Sequence, residues 1–451
     1  MTPAADHRRP SLLERLGLQR PELRAWAMYD WANSAMVVVI VTAVFPIYFA
    51  SVAARDLAPA VATARFATAT TIALVLVAVL APVLGTIADV LPLKKRLLAA
   101  FLAIGVAAVA AMGTVGPGEW LLAAFLFAVA NVGANGSFVF YDSLLPHIAK
   151  EDELDRVSAA GYALGYLGGG LLLALNLAWI QKPEWFGFPH GPGLSARDAT
   201  LPARAAFLSV AAWWAVFSIP LFRRVREPAV FEARPKGTSA IRLSLRRLAG
   251  TARAIREYPN AARMLLAFLV YNDGIGTIIR MAAIYGTEIG IGRGALIAAI
   301  LLVQFIGIPF AFAFGALARR IGAKQAILLG LAVYAGIAIF GYFVRTTAHF
   351  FALAIAVGAV QGGTQALSRS LFARLIPRDR TGEFFGFFAV TEKFAGILGP
   401  AVFAATVAIT GSSRGAVLGV IAFFVIGAAL LWKVDPTPYE SRVAASPPIL
   451  H

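Results

Sequence analysis

Residues 85–96 read GTIADVLPLKKR, and residues 315–325 read GALARRIGAKQ. Each is a short basic turn between two apolar runs: 66–88 and 96–115 around the first, 294–316 and 325–344 around the second. Runs of about 20 apolar residues have the length an α-helix needs to cross a bilayer. Each turn therefore closes a hairpin of two membrane-crossing helices, with its bases at the water-facing tip. A shift of 230 positions superposes the two turns: Gly85 falls on Gly315, Asp89 on Arg319 and Lys94 on Lys324. The same shift places Asn131 on Gln361, Gly133 on Gly363 and Asn135 on Gln365, and a shift of 242 places Tyr29-Asp30 on Tyr271-Asn272. Amides recurring at one spacing mark a duplicated helical unit, as expected of transporters that rock two halves about a central site.

The rest of the chain has the same character. Its 451 residues are 59% hydrophobic and 14% charged, with a mean hydropathy of +0.75. A soluble protein carries about 25% charged residues. Twelve spanning segments are predicted near 32–53, 66–88, 96–115, 120–143, 158–180, 204–222, 263–285, 294–316, 325–344, 349–371, 385–408 and 413–433. The long polar interruption between the sixth and seventh contains IRLSLRRLAGTARAIREY (241–258). Its apolar residues recur every three to four positions and its arginines take the other face, which predicts an amphipathic helix along the membrane surface. The expected fold is an all-α polytopic membrane protein, twelve transmembrane helices in two pseudo-symmetric six-helix bundles. Its parts are a tail and interfacial segment (1–31), a first bundle (32–222), a linker (223–262), a second bundle (263–433) and a tail (434–451).

The net charge of +16 invites a nucleic-acid reading, but its distribution argues against one. With both termini inside, roughly thirty of the 40 Lys and Arg fall in cytoplasmic segments, as the positive-inside rule expects. The basic residues are an orientation signal, and the expected location is the inner cell membrane with both termini cytoplasmic. There is no cysteine, and the five histidines fall in tails, loops or helix ends, so neither a metal nor a cofactor is expected. No signal peptide is read at the N-terminus. The glycine-rich IGIGRG (289–294) follows a predicted helix, not a strand, so it is no phosphate loop. Without a Walker sequence or a nucleophile elbow an enzyme is not expected, and transport would be uniport or ion-coupled.

Both quoted turns resemble the short signature of the major facilitator superfamily: Gly, three residues, Asp, a base, then Gly and further bases. The first keeps Gly85 and Asp89 but has Val90 for the base and Pro92 for the Gly; the second keeps Gly315, Arg320 and Gly322 but has Arg319 for the acid. AWAMYDWANSA (25–35), GGTQALSRSLFARLIP (362–377) and EFFGFF (383–388) together look like the vacuole-effluxer-like branch of that superfamily, in a bacterial-type member. The resemblance implies the major facilitator fold, with the first, fourth, seventh and tenth helices lining a central cavity. It implies that Asp89 latches one conformation, and that an amino acid is the leading substrate class, since fungal members export amino acids from the vacuole.

Those four spans carry most of the strong polar groups. The first holds Asp30, Asn33 and Ser34 at its mouth, with Trp26 and Trp31 suited to an interfacial belt. Asp30 reads either as a helix cap or as part of a gate. The fourth holds Asn131, Asn135 and Asp142 on one face, the seventh Asp273 and Arg280 seven residues apart, and the tenth Gln361, Gln365 and Arg369. Glu392 and Lys393, near the start of the eleventh span, point about 100° apart. A charge at mid-helix costs about 2.5–3.5 kcal/mol on insertion scales, so it faces a cavity or a partner. Asn33, Asn131, Asn135, Asp273, Arg280, Gln361 and Gln365 are the candidate substrate-facing residues. Asp30, Asp89, Asp142, Arg369, Glu392 and Lys393 are the candidates for gating or proton coupling. Polar helix packing is the other reading of the amides. Asp30 and Asp142 are expected to approach across the inner mouth, where two carboxylates do not both ionise cheaply, with Arg369 pairing to them on closure.

These features predict a secondary transporter moving a small solute by alternating access, with protons as a candidate coupling ion and the lipid bilayer as its solvent. Arg280 and Asp273 could take the carboxylate and ammonium of an amino acid. The alternatives are export of lipophilic, drug-like compounds and, in a different class, a non-transporting membrane sensor or scaffold.

Overall fold

The computed structural model describes residues 11–229, 258–288, 290–394, 399, 402, 405–406, 409 and 413–445. The surface helix expected within the linker lies outside the described residues. The first membrane helix, α1, runs over Pro21–Ala53 rather than starting near 32. Pro21 stands at its first position, where a missing N–H costs nothing, and Glu22 complements the helix dipole in the first turn. AWAMYDWANSA is therefore helical throughout and lies several turns inside. Beyond Ala35 the helix widens to a π-helix over Met36–Ala43, makes one α-turn at Phe45–Tyr48, and widens again over Phe49–Ala53. Pro46 has no N–H to give the carbonyl four residues back, and Val44 N–H instead reaches Val39 O, five back, at 2.7 Å.

The remaining helices of the first half are α2 (Pro59–Val90), α3 (Lys94–Met112), α4 (Trp120–Ile148), α5 (Leu154–Gln181) and α6 (Leu201–Arg224). The second half holds α7 (Pro259–Glu288), α8 (Arg293–Ile321), α9 (Ala323–Tyr342), α10 (Thr347–Leu375), α11 (described over Thr381–Phe394) and α12 (Ser413–Gly419 and Ile421–Trp432). Among the described residues, ten helices are long and apolar enough to cross a membrane. Ile104, Val216, Leu329 and Ile426 are exposed on α3, α6, α9 and α12, where apolar side chains suit a lipid surface.

The two halves pack alike. In the first, α1 packs on α5 and α6, α4 on α2 and α3, and α3 on α6; in the second, α7 packs on α11 and α12, α10 on α8 and α9, and α9 on α12. Duplicated hydrogen bonds mark the same relation. Tyr29 Oη donates to Ser137 Oγ at 2.6 Å, and Tyr271 Oη lies 2.6 Å from Ser368 Oγ. Lys95 Nζ donates to the carbonyls of Phe222 and Val225 at the end of α6, and Lys324 Nζ to those of Trp432 and Val434 at the end of α12. Lys95, not Lys94, is thus the counterpart of Lys324: the second hairpin turn is one residue shorter, which the uniform shift of 230 misses.

The bundles meet along α2 with α11 and along α5 with α8 and α10. Gly85 lets α2 approach the start of α11 so closely that a Cβ there would overlap the Gly382 carbonyl. The described parts of both chain ends lie at the end of the molecule where α1 starts and α10 finishes, hereafter the termini end.

Candidate functional site

A cluster of charges and rings ties the bundles together near the termini end. Arg369 belongs to the last turns of α10 and is only 2% exposed. Its Nη1 donates to Asp142 Oδ1 of α4 at 3.0 Å, and its Nη2 lies 3.3 Å from Asp30 Oδ2 of α1. Its Nε donates to Ser158 Oγ at 2.9 Å and its Nη2 to Ser158 O at 3.0 Å, both on α5. Asp30 Oδ2 also accepts from Tyr141 Oη at 2.8 Å. Three rings surround the guanidinium: Tyr162 at 4.7 Å, Trp26 at 4.8 Å and Tyr141 at 5.6 Å. Trp26 and Tyr141 stack on each other at 4.4 Å, and Trp26 Nε1 donates to Tyr141 O. The rings fix the flat face of the guanidinium while the carboxylates take its edge.

Two further ties close the same end. Asp89, at the end of α2, accepts from the N–H groups of Gly382 and Glu383 at 2.9 and 2.7 Å, and pairs with Lys94 Nζ at 2.7 Å. Lys94 Nζ also donates to Thr381 Oγ1 at 2.9 Å, and His147 Nε2 lies 2.9 Å from the same hydroxyl. The free N–H groups and positive dipole of the α11 start thus meet a carboxylate. On the other side of the seam, Asp155 of α5 accepts from Ser370 Oγ at 2.6 Å and from Arg374 Nη2 at 2.8 Å.

The structure brings Asp30, Asp142 and Arg369 together and places Asp89 in the neighbouring tie. Glu392, half-buried on α11, lies within electrostatic range of Asp142 and Tyr162. The side chains of Arg280 and Lys393 lie outside what the structure describes. Asp273 is buried away from the cluster, with its Oδ2 accepting from Gly399 N–H at 2.9 Å. Asn33 is buried inside the first bundle and donates to Ser137 Oγ and Tyr29 Oη. Asn131 and Asn135 donate to carbonyls one turn back on their own helix, at Phe127 and Asn131. Gln361 and Gln365 are half-buried on α10.

Two sequence expectations are corrected. Asp30 is not a helix cap, because α1 begins at Pro21 and buries Asp30 between α4, α5 and α10. Trp26 does not belong to an interfacial belt; it is fully buried under Arg369. Sequence reasoning did not single out Tyr141, Ser158, Tyr162, Asp155 or Thr381. One signal was available on α5, where Asp155, Ser158 and Tyr162 recur at three- and four-residue spacing and share a face.

Twelve-helix packing with this repeat and a charged seam between halves defines a major facilitator transporter, a polytopic membrane protein. The profile of the family described as "Vacuole effluxer Atg22 like" matches residues 57–438, and the chain belongs to that family. It is 37% identical over 408 residues to the uncharacterized MFS-type transporter YxiO of Bacillus subtilis (strain 168), covering 90% of this chain and 93% of that one. It is 24% identical to the autophagy-related protein 22 of Pyricularia oryzae, covering 92% of this chain and 76% of the relative. Among solved structures, the human organic anion transporter MFSD10 superposes with a TM-score of 0.69 at 15% identity, covering 94% of this chain and all 100% of that one. The proton:xylose symporter XylE superposes with a TM-score of 0.69 at 13% identity, covering 94% and 98%. At these identities the two structures establish the fold alone.

Proposed function

We propose that the chain is a secondary transporter that moves a small polar solute by alternating access, with an amino acid as the leading substrate class. Both termini then face the cytoplasm and the location is the inner membrane. The observation that carries this reading is Arg369 of the second bundle, held between Asp30 and Asp142 of the first at one end of the seam. A buried ion pair that spans two rigid halves can hold a gate shut and release it when its charge balance changes. The relatives named for autophagy support the solute class, and the titles of proton symporters of this fold support protons as coupling ion. The position of Asp273 against the α11 backbone moves the charged part of the proposed site from Asp273 and Arg280 to the Arg369 cluster.

The test is solute exchange in proteoliposomes, with and without an imposed pH gradient. If Asp30 takes up the coupling proton, Asp30→Asn keeps exchange of preloaded solute and loses gradient-driven accumulation. Accumulation at the wild-type rate in a folded Asp30→Asn protein would remove Asp30 from the coupling step.

A further inference from the structure

We infer that the first bundle carries a binding site for a solute of net positive charge with a guanidinium or alkylammonium head, and that Arg369 fills that site as a built-in substitute while the termini end is closed. This inference rests on the reading of the chain as a transporter and names the substrate of the same site.

The partition of the cluster between the bundles is the first argument. Its receiving groups, Trp26, Asp30, Tyr141, Asp142, Ser158 and Tyr162, all belong to α1, α4 and α5. The cation that fills them comes from α10. Holding two bundles together needs one carboxylate opposite one base, as at Asp155 and Arg374. Here two carboxylates and three rings enclose a single guanidinium, which is the composition of a cation receptor. The floor is cut to the same shape. A Cβ on Gly161 would crowd the Asp30 carboxylate and would come within 3.1 Å of Arg369 Nη2 and 3.2 Å of the Trp26 ring.

Separation of the bundles is the second argument. Any opening of the termini end withdraws Arg369 with α10 and leaves Asp30 and Asp142 together in the first bundle. Two half-dehydrated carboxylates without a counter-charge are strongly disfavoured, so the open state requires a new cation there. A zwitterion would cancel one charge and bring another of the same sign. A solute of net positive charge cancels more, and a dication cancels both. A proton also neutralises the pair, but it leaves the three ring faces unused; a flat guanidinium or an alkylammonium uses them as Arg369 does.

The experiment uses the purified full chain, with thermal unfolding reading binding and exchange of preloaded labelled solute from proteoliposomes reading transport. The probes are agmatine, arginine, leucine and glutamate. The expected result is that agmatine and arginine raise the unfolding midpoint and exchange at least about tenfold faster than leucine and glutamate. Tyr162→Leu, which keeps both carboxylates, weakens agmatine binding about tenfold. Arg369→Gln removes the built-in competitor and therefore binds agmatine more tightly than wild type; a merely structural arginine would produce no such gain. Where Arg369→Gln does not fold, agmatine competition on the wild type and Tyr162→Leu decide. Exchange of leucine or glutamate alone, with no response to agmatine, overturns the cation site and leaves the transporter reading standing. Binding of agmatine with no exchange of any probe overturns the transporter reading and leaves the cation site. Neither binding nor exchange overturns both.

Discussion

Arg369 answers four groups with three nitrogens, and no other side chain can do that. Nε serves the Ser158 hydroxyl, Nη1 serves Asp142, and Nη2 serves both Asp30 and the Ser158 carbonyl. A lysine offers one nitrogen and no flat face for the rings. Removing one member of a buried ion pair costs about 3–5 kcal/mol because the partner stays charged, whereas removing both is often close to neutral. Arg369→Gln is therefore expected to lower the unfolding midpoint strongly. Arg369→Gln combined with Asp30→Asn and Asp142→Asn is expected to recover most of that loss. Equal midpoints for the single and triple variants would show that the charges do not interact in the folded protein. The charged members were legible in sequence, because an ion inside an apolar span is costly and so conspicuous. The rings were not: Trp26 near a helix mouth reads as an interfacial belt, and Tyr141 and Tyr162 read as ordinary filling. Only the crossing of α1, α4 and α5 assembles them.

At the scale of the helix, closure of the termini end depends on α11 starting against α2. Two backbones touch at Gly85 and Gly382, and Asp89 caps the two free N–H groups beside them. Hydrogen bonds to a charged partner contribute about 1.5–3 kcal/mol, enough to shift a two-state equilibrium roughly tenfold or more. Gly85→Ala and Asp89→Ala are each expected to favour the open termini end while leaving the fold intact. Spin labels on cysteines at Asp152 and Asp379, in this cysteine-free background, should report longer distances in both variants; unchanged distances would mean that the contact does not hold the gate. A second element packs at the same end. The segment before α1 is tied to the loop between α4 and α5 by Arg20 and Gln19, each 2.6 Å from Glu153. Burial pushes the Glu153 carboxyl up, but the Lys150 N–H and the Arg20 guanidinium outweigh it and hold it below its ordinary value. The folded value is depressed, so this tie is fully present above the usual carboxylate range, near pH 4.3. It is lost as pH falls through the folded value. Hydrogen exchange over residues 12–20 should accelerate at acid pH in wild type, and Glu153→Gln should abolish that added dependence. The start of α1 was misjudged from sequence because Asp30, Asn33 and two tryptophans look like a border; they are polar because they face other helices.

For the molecule as a whole, the repeat was readable and its asymmetry was not. The Tyr–Ser bonds and the Lys95 and Lys324 anchors occur in both bundles, but the paired acids occur in the first and the arginine in the second. Position 30 has Asn272 as its counterpart and position 142 has no acid, so opposite charges face each other across the pseudo-twofold axis. That division of charge lets the seam close at one end while the other end remains a route to the interior. Gln365 and Gln361 lie one and two turns above Arg369 on α10, away from the termini end and on the same face. If the Arg369 ties seal the resting protein, a cysteine at Gln361 should react with a membrane-impermeant thiol reagent from the side that labels a cysteine at Ser195. It should be protected from the side that labels one at Ser441. Arg369→Gln should open the second route, so that Gln361→Cys becomes reactive from the Ser441 side as well. Labelling of Gln361→Cys from the Ser441 side in the otherwise unaltered protein would place the seal elsewhere in the seam. Labelling of Ser195→Cys and Ser441→Cys from one common side would overturn the twelve-span topology itself.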